Sequence, residues 1–182
     1  MTTTLILGGA RSGKSAYAEK LAAGSGKPVV VIATATVGDA EMAARIARHR
    51  QDRPAHWQTV EEPIAVAAAI RDAAAADCVV LVDCLTLWLA NTLFSTAHDV
   101  PDEGVPAPSA LFVHERAALL DVLAHAAGDV ILVSNEVGLG VIPMGAGTRL
   151  FVDEAGRLNQ AVAAVCGQVR FVAAGLPLVL KG

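Results

Sequence analysis

The stretch Leu5-Ile6-Leu7-Gly8-Gly9-Ala10-Arg11-Ser12-Gly13-Lys14-Ser15 decides how the rest of the chain is read. It opens as a short apolar run, turns through glycines and enters a helix. The spacing Gly8-x4-Gly13-Lys14-Ser15 fits the phosphate-binding pattern G-x-x-x-x-G-K-[ST]. Each residue type there has a physical reason. Gly8, Gly9 and Gly13 admit backbone conformations that a Cβ would forbid, so successive N–H groups can face one anion. The following helix turns its positive end toward the same place. Lys14 adds a point charge for β- and γ-phosphates, and the Ser15 hydroxyl is placed to ligate Mg²⁺. A plain glycine-rich turn would need the flanking strand and helix to be coincidences.

Outward from this loop, apolar runs alternate with helical patterns. Ser15 to about Ala23 reads as a helix ended by Gly24-Ser25-Gly26, and Val29-Val30-Val31-Ile32 as a buried strand. Ala33-Thr34-Ala35-Thr36 follows at that strand's carboxyl end, where ligands collect in open α/β sheets. Asp39 suits the N-cap of a basic helix from Ala40 to about Gln51, which Pro54 stops. Pro63 opens a helix to about Ala76, Val79 to Asp83 is a strand, and Leu85 to about Leu93 a helix. Ser95 to Ser109, with three prolines, reads as a loop expected to be mobile or to face a partner. Next come a helix over Leu111–Ala127, a strand over Val130–Val133 and a glycine-rich loop over Gly138–Gly147. A helix over Asp153–Cys166, a strand over Val169–Ala173 and an edge strand over Leu178–Leu180 complete the series. The expected fold is α/β: a three-layer P-loop NTPase of the RecA-like kind, with a mostly parallel sheet and helices on both faces.

Composition agrees. The 182 residues suit one domain over 1–182; 54% are apolar, 18% charged and only 4% aromatic, which suits parallel strands buried under Ala-rich helices. A net charge of −4 gives no electrostatic footprint for nucleic acid. The amino-terminal residues lack signal-peptide character and no apolar run is long enough for a membrane span, so a cytoplasmic, soluble protein is expected. Cys78, Cys84 and Cys166 have no metal-binding spacing and sit in apolar runs, as buried small hydrophobes do.

Two further residues carry chemical expectations. Asp83 ends an apolar strand and fits the carboxylate that holds Mg²⁺ beside a phosphate-binding loop; a cap for the next helix is the alternative. His49 stands among Arg45, Arg48, Arg50 and Arg53. It reads either as a surface histidine on a basic helix, or as a nucleophile toward phosphorus with arginines gathering triphosphate oxygens. Composition alone leaves both open. His56, His98, His114 and His125 form no pair with metal-ligand spacing, and Glu61 and Glu62 suit a helix N-terminus.

Taken together, these residues resemble the bifunctional adenosylcobinamide kinase/adenosylcobinamide-phosphate guanylyltransferase family of cobalamin biosynthesis. The resemblance rests on Gly8–Ser15, Asp39-Ala40-Glu41-Met42-Ala43-Ala44-Arg45-Ile46 and Arg53-Pro54-Ala55-His56-Trp57. It continues through Asp83-Cys84-Leu85-Thr86, Ser134-Asn135-Glu136-Val137-Gly138-Leu139-Gly140 and Ala155-Gly156-Arg157-Leu158-Asn159-Gln160. It implies that ATP or GTP phosphorylates adenosylcobinamide, and that GTP then donates GMP to adenosylcobinamide phosphate, giving adenosylcobinamide-GDP and pyrophosphate. It implies that His49 carries the GMP, with Lys14 also catalytic. Nucleotide contacts carry over onto Gly8, Gly9, Ala10, Arg11, Ser12, Gly13, Lys14, Ser15, Ala33, Thr34, Ala35, Arg50, Gln51, Asp52, Arg53, Glu61 and Asp83. Ser15 and Asp83 are the implied Mg²⁺ ligands, and a homotrimer is implied. Two other readings stand beside it: a guanylyltransferase that has lost the kinase step, and a non-catalytic P-loop nucleotide switch. The segment Met144–Val152 departs from the family pattern, with Val152 where arginine is frequent; the missing charge removes a candidate substrate or subunit contact.

Overall fold

The computed structural model describes residues 1–36, 38, 40, 43–44, 47, 53–95 and 106–182. Seven strands form one sheet: β1 (Thr3–Gly8), β2 (Val29–Ala33), β3 (Gln58–Glu61), β4 (Val79–Asp83), β5 (Asp129–Asn135), β6 (Gln168–Ala173) and β7 (Leu176–Lys181). The helices between them are α1 (Lys14–Gly24), α2 (Val66–Ala73), α3 (Leu85–Leu93), α4 (Ala110–His125) and α5 (Ala146–Val165). The spatial order is β3-β2-β4-β5-β1-β6-β7. Every pair is parallel except β6 with β7. The fold is therefore the RecA-like α/β arrangement, with β5 inserted between the strand that leads into the glycine loop and the strand that ends in Asp83.

Side-chain alternation along the strands divides the core in two. Leu5, Leu7, Val80, Val82, Val130 and Leu132 face one side, where they meet Val66 and Ile70 of α2, Trp88 of α3, Phe112 of α4 and Leu158 of α5. Ile6, Val31, Leu81, Ile131 and Val133 face the other, covered by Ala18 and Ala22 of α1 together with Trp57. Each fully buried aliphatic or aromatic side chain contributes about 1.5–3 kcal/mol. Trp88 also satisfies its indole by donating Nε1–H to the carbonyl of Ile64 at 2.7 Å.

Several boundaries differ from the sequence expectation. Gln58–Glu61 forms a strand that was not anticipated, because only Val60 among its four residues is strongly apolar. It pairs with β2 alone, at the sheet edge, where polar side chains reach water. Helix α2 begins at Val66 rather than Pro63, since Glu62 turns its carboxylate onto the N–H groups of Ile64 and Ala65 at 2.9 and 2.8 Å. Helix α5 begins at Ala146, seven residues before the expected Asp153; burial of Ala146 and Leu150 offsets the low helix propensity of Gly147. The edge strand extends to Leu176–Lys181 and closes a hairpin on β6. The basic helix expected over Ala40–Gln51 and most of the Ser95–Ser109 loop lie outside the described residues, although Ala40, Ala43, Ala44 and Ala47 are helical. All three cysteines are buried and free, as expected.

The hairpin turn at Ala174 and Gly175, both at positive φ (52° and 78°), packs onto the glycine loop. Gly175 donates its N–H to the Ser12 carbonyl at 2.8 Å. A Cβ on Gly8 would lie 2.5 Å from both the Val172 carbonyl oxygen and Ser12 Oγ. Gly8→Ala is therefore expected to cost about 1–3 kcal/mol and to distort the loop, read as a lowered denaturation midpoint together with loss of nucleotide binding in titration.

Candidate active site

The site lies at the carboxyl ends of the parallel strands. Gly8 ends β1, and Gly13 (φ 93°) forms the N-cap of α1. No side chain caps that helix and its first turn carries no acid, so its leading N–H groups are available to a bound anion. Arg11 also takes a left-handed conformation (φ 55°), which curls the backbone between Gly9 and Gly13. Lys14 is buried and bends back over the loop, donating from Nζ to the Gly9 carbonyl at 3.1 Å. The Gly8–Ser15 segment thus has the geometry of a phosphate cradle.

Across one intervening strand, β4 ends in Asp83, about 10 Å from β1 at ordinary strand spacing. Asp83 Oδ2 accepts a 3.0 Å hydrogen bond from Arg53 Nη2, in an ion pair whose side chains are only 19% and 7% exposed. Arg53 reaches this position from a tight turn in which Trp57 donates its N–H to the Pro54 carbonyl at 3.0 Å and buries its ring on the α1 side of the sheet. The Arg-Pro-Ala-His-Trp segment is therefore an anchored bracket that delivers a guanidinium to a strand-end carboxylate. Arg53 Nε and Ser12 Oγ are both buried without a hydrogen-bond partner among the described residues. Unsatisfied donors of this kind are costly, and both stand at the end of the sheet where a polyanion would supply acceptors.

Asp83 is held by a residue whose part the sequence did not reveal. Thr34, fully buried, accepts from the Cys84 N–H at 2.9 Å and donates its hydroxyl to the Cys84 carbonyl at 2.7 Å. Its own N–H donates to the Asp83 carbonyl at 3.0 Å, and Asn91 Nδ2 donates to its carbonyl at 2.8 Å. The resemblance implies Thr34 as a nucleotide contact with Ala33 and Ala35; in the structure its hydroxyl and N–H bind the Asp83–Cys84 backbone and its carbonyl binds Asn91. Register places Ala33 beside Asp83 and Glu61 beside Ala33, so both sit on the same rim. Cys84 is pushed up to about 11, first by burial and then by the Asp83 carboxylate, so it remains a thiol at neutral pH and no nucleophile.

The structure brings together Gly8–Ser15, Ala33–Ala35, Arg53, Glu61 and Asp83 along one edge. His49, Arg50, Gln51 and Asp52 lie outside the described residues. His56, His114 and His125 are exposed. Among the described residues, no group of three or more His, Cys, Asp or Glu side chains could hold a metal by itself. Ser15 and Asp83 are hard oxygen donors of the kind that could hold a Mg²⁺ ion beside bound phosphates. Val152, in the segment departing from the family pattern, is half-buried in α5. Arg149 in the same segment donates to the carbonyls of Pro143 and Met144.

Replacing Thr34 by isosteric valine removes the two hydroxyl bonds of the clamp to Cys84 and keeps the main-chain ones. The expected cost is about 1–3 kcal/mol, measured by denaturant unfolding, with faster thiol labelling of Cys84 as mapped by peptide mass. Unchanged stability and labelling would show that the clamp is dispensable.

Comparison with known proteins is consistent with this geometry. The family model described as cobinamide kinase / cobinamide phosphate guanyltransferase matches residues 4–180. The chain is 56% identical over 178 residues to the bifunctional adenosylcobalamin biosynthesis protein CobP of Pseudomonas aeruginosa, covering 98% of this chain and 96% of that one. It is 41% identical over 179 residues to the bifunctional adenosylcobalamin biosynthesis protein CobU of Escherichia coli, covering 97% and 98% respectively. Among solved structures, the RadB recombinase is similar in fold, with a TM-score of 0.51 at 16% identity over 93% of this chain and 73% of that one. The match runs through the phosphate cradle, the Asp83 strand and nearly the whole sheet: the chain belongs to the cobinamide kinase / cobinamide phosphate guanyltransferase family.

Proposed function

We propose that the whole chain, residues 1–182, works as one domain that performs two successive transfers on adenosylcobinamide. In the first, the γ-phosphoryl group of ATP or GTP passes to a hydroxyl of adenosylcobinamide. In the second, GMP passes from GTP to adenosylcobinamide phosphate, and pyrophosphate leaves. The observation that carries this reading is a phosphate cradle and a strand-end carboxylate on one sheet edge, in a chain matched over nearly its full length by the family.

The residues suit the chemistry. Phosphoryl transfer depends mainly on positioning and charge neutralisation. The uncapped start of α1 and Lys14 supply both for the β- and γ-phosphates. Ser15 and Asp83 would hold Mg²⁺, which neutralises phosphate charge when bound. Arg53, already beside Asp83, can move from the carboxylate to a phosphate oxygen. In the second reaction His49 attacks the α-phosphorus and expels pyrophosphate; a phosphate oxygen of the acceptor then displaces the imidazole. Dividing the transfer in this way avoids bringing two polyanions together at one phosphorus.

Three further features belong to the proposal. A homotrimer would cover the apolar side chains that the edge strand β7 leaves open, where Leu176, Leu178, Val179 and Leu180 are exposed. No described helix is long and apolar enough to cross a membrane, in keeping with a cytoplasmic enzyme. The net charge of −4 suits small-molecule substrates and not a nucleic-acid backbone.

Incubation with GTP and Mg²⁺, without a corrinoid, is expected to add one GMP to the wild-type protein and none to His49→Ala, as read by intact mass. The adduct should be lost in mild acid and kept in base, as a phosphoramidate is. An equal adduct on both proteins would place the nucleophile elsewhere. Asp83→Asn is expected to lower both transfers by about 10–100-fold and to raise the Mg²⁺ concentration needed for half-maximal rate. An unchanged Mg²⁺ titration would remove Asp83 from metal binding.

A further inference from the structure

The segment Ser134-Asn135-Glu136 is fixed more firmly than a strand end requires. Strand β5 lies between β1 and β4, pairing Asn135 with Gly8 and Val133 with Asp83. It therefore runs two residues past the level of Asp83 and delivers Glu136 just beyond the start of the phosphate cradle. The Glu136 N–H donates to the Gly8 carbonyl at 3.1 Å. The preceding peptide is held from both sides. The Asn135 N–H donates to Thr86 Oγ1 at 2.7 Å, and Asn159 Nδ2 donates to the Asn135 carbonyl at 3.3 Å. Ser134 Oγ donates to Asn159 Oδ1 at 2.7 Å, which orients that amide. Thr86, Ser134 and Asn159 are all buried. Buried networks of this kind rigidify what they hold.

What they hold is a carboxylate with no cationic partner among the described residues. Asp83 faces Arg53, Asp129 faces Lys27, and Glu154 faces Arg116 and Arg157. Half-buried Glu136 has no ion pair among the described residues. One oxygen, Oε1, accepts from the Gly138 N–H at 2.7 Å, leaving Oε2 for another partner. A carboxylate brings no positive charge to the phosphates, so Glu136 is placed to act on the acceptor and not to hold the nucleotide. Immediately after it, the loop carries Leu139, Val141, Ile142 and Met144, which are 82%, 95%, 78% and 94% exposed. A bulky acceptor with an apolar face could rest on these side chains and bring its reacting hydroxyl to Glu136.

We propose that Glu136 is the general base of the kinase step, a proposal that rests on the phosphoryl-transfer reading above. The acceptor oxygen forms its bond to the γ-phosphorus, and the bond from that phosphorus to the bridging oxygen breaks. The hydroxyl proton passes to the Glu136 carboxylate, and the nucleoside diphosphate leaves with the bonding electron pair. The fixed peptide of Asn135 sets the position of the base relative to Gly8, and the hydrogen bond from Gly138 sets its orientation.

The test compares wild type, Glu136→Gln and Glu136→Ala for phosphoryl transfer to adenosylcobinamide across pH. It also measures nucleotide affinity by titration and GMP adduct formation by intact mass. Glutamine keeps an oxygen for the Gly138 N–H, so the fold is preserved and thermal melting checks it. The expected result is a fall in kcat of about 10²–10⁴-fold in Glu136→Gln, with nucleotide affinity within about twofold of wild type. The acidic limb of the rate profile should disappear, and formate should partly restore Glu136→Ala. A Glu136→Gln rate within about threefold of wild type, or an unchanged acidic limb, would overturn the proposal. Wild-type protein that forms the GMP adduct but never phosphorylates adenosylcobinamide would instead overturn the kinase reading, and this inference with it.

Discussion

The structure depends on close main-chain packing at Gly8. Its carbonyl accepts from Glu136, just past β5, and its Cα lies so near the Val172 carbonyl of β6 that no side chain fits. Three adjacent strands therefore meet at one residue without side chains between them. From that point the chain turns into the cradle, with Gly13 in a conformation that only glycine adopts without strain. The phosphate-binding loop is shaped by its neighbours as much as by its own glycines.

The charges on this rim are arranged around the same constraint. Lys14 and Arg53 supply positive charge, Asp83 is neutralised by Arg53, and Glu136 has no ion pair among the described residues. In a partly dry site, pairing costs less than isolation. An anionic substrate can compete with Asp83 for Arg53; in the proposed mechanism a Mg²⁺ ion would then take the place of the guanidinium beside the carboxylate. The Thr34 clamp keeps the Asp83–Cys84 backbone in place during that exchange, because it bonds main-chain atoms and leaves the carboxylate free to change partners.

Most of the architecture was legible because buried parallel strands announce themselves as continuous apolar runs rich in β-branched residues: Val29–Ile32, Val79–Val82 and Val130–Val133. The cradle was legible from spacing alone. Gln58–Glu61 was not, since an edge strand whose side chains are mostly exposed carries no apolar signature. The start of α5 was obscured by Gly145 and Gly147, whose local preference yields to the burial of Ala146 and Leu150. At the site, Asp83 and Lys14 followed from position, whereas Thr34, Thr86 and Asn159 did not. Their partners lie 24 to 50 residues away in sequence, and nothing in a threonine or asparagine reveals which distant peptide it will bind. Residues 48–52, which include His49, are placed in the argument by resemblance alone.

The contact between Ser12 and Gly175 has a consequence for folding. The cradle is contiguous in sequence, yet its shape requires a residue more than 160 positions away, and another at Glu136. Contacts of such separation close late, after the loop-closure entropy of the intervening chain has been met. The isolated amino-terminal unit of β1 and α1 would thus own every residue of the motif and still lack its form. A nucleotide that recognises only the finished cradle binds the native ensemble and not its precursors, so its binding free energy is returned to the sheet as a whole. Substrate concentration becomes a determinant of how long the entire molecule stays folded.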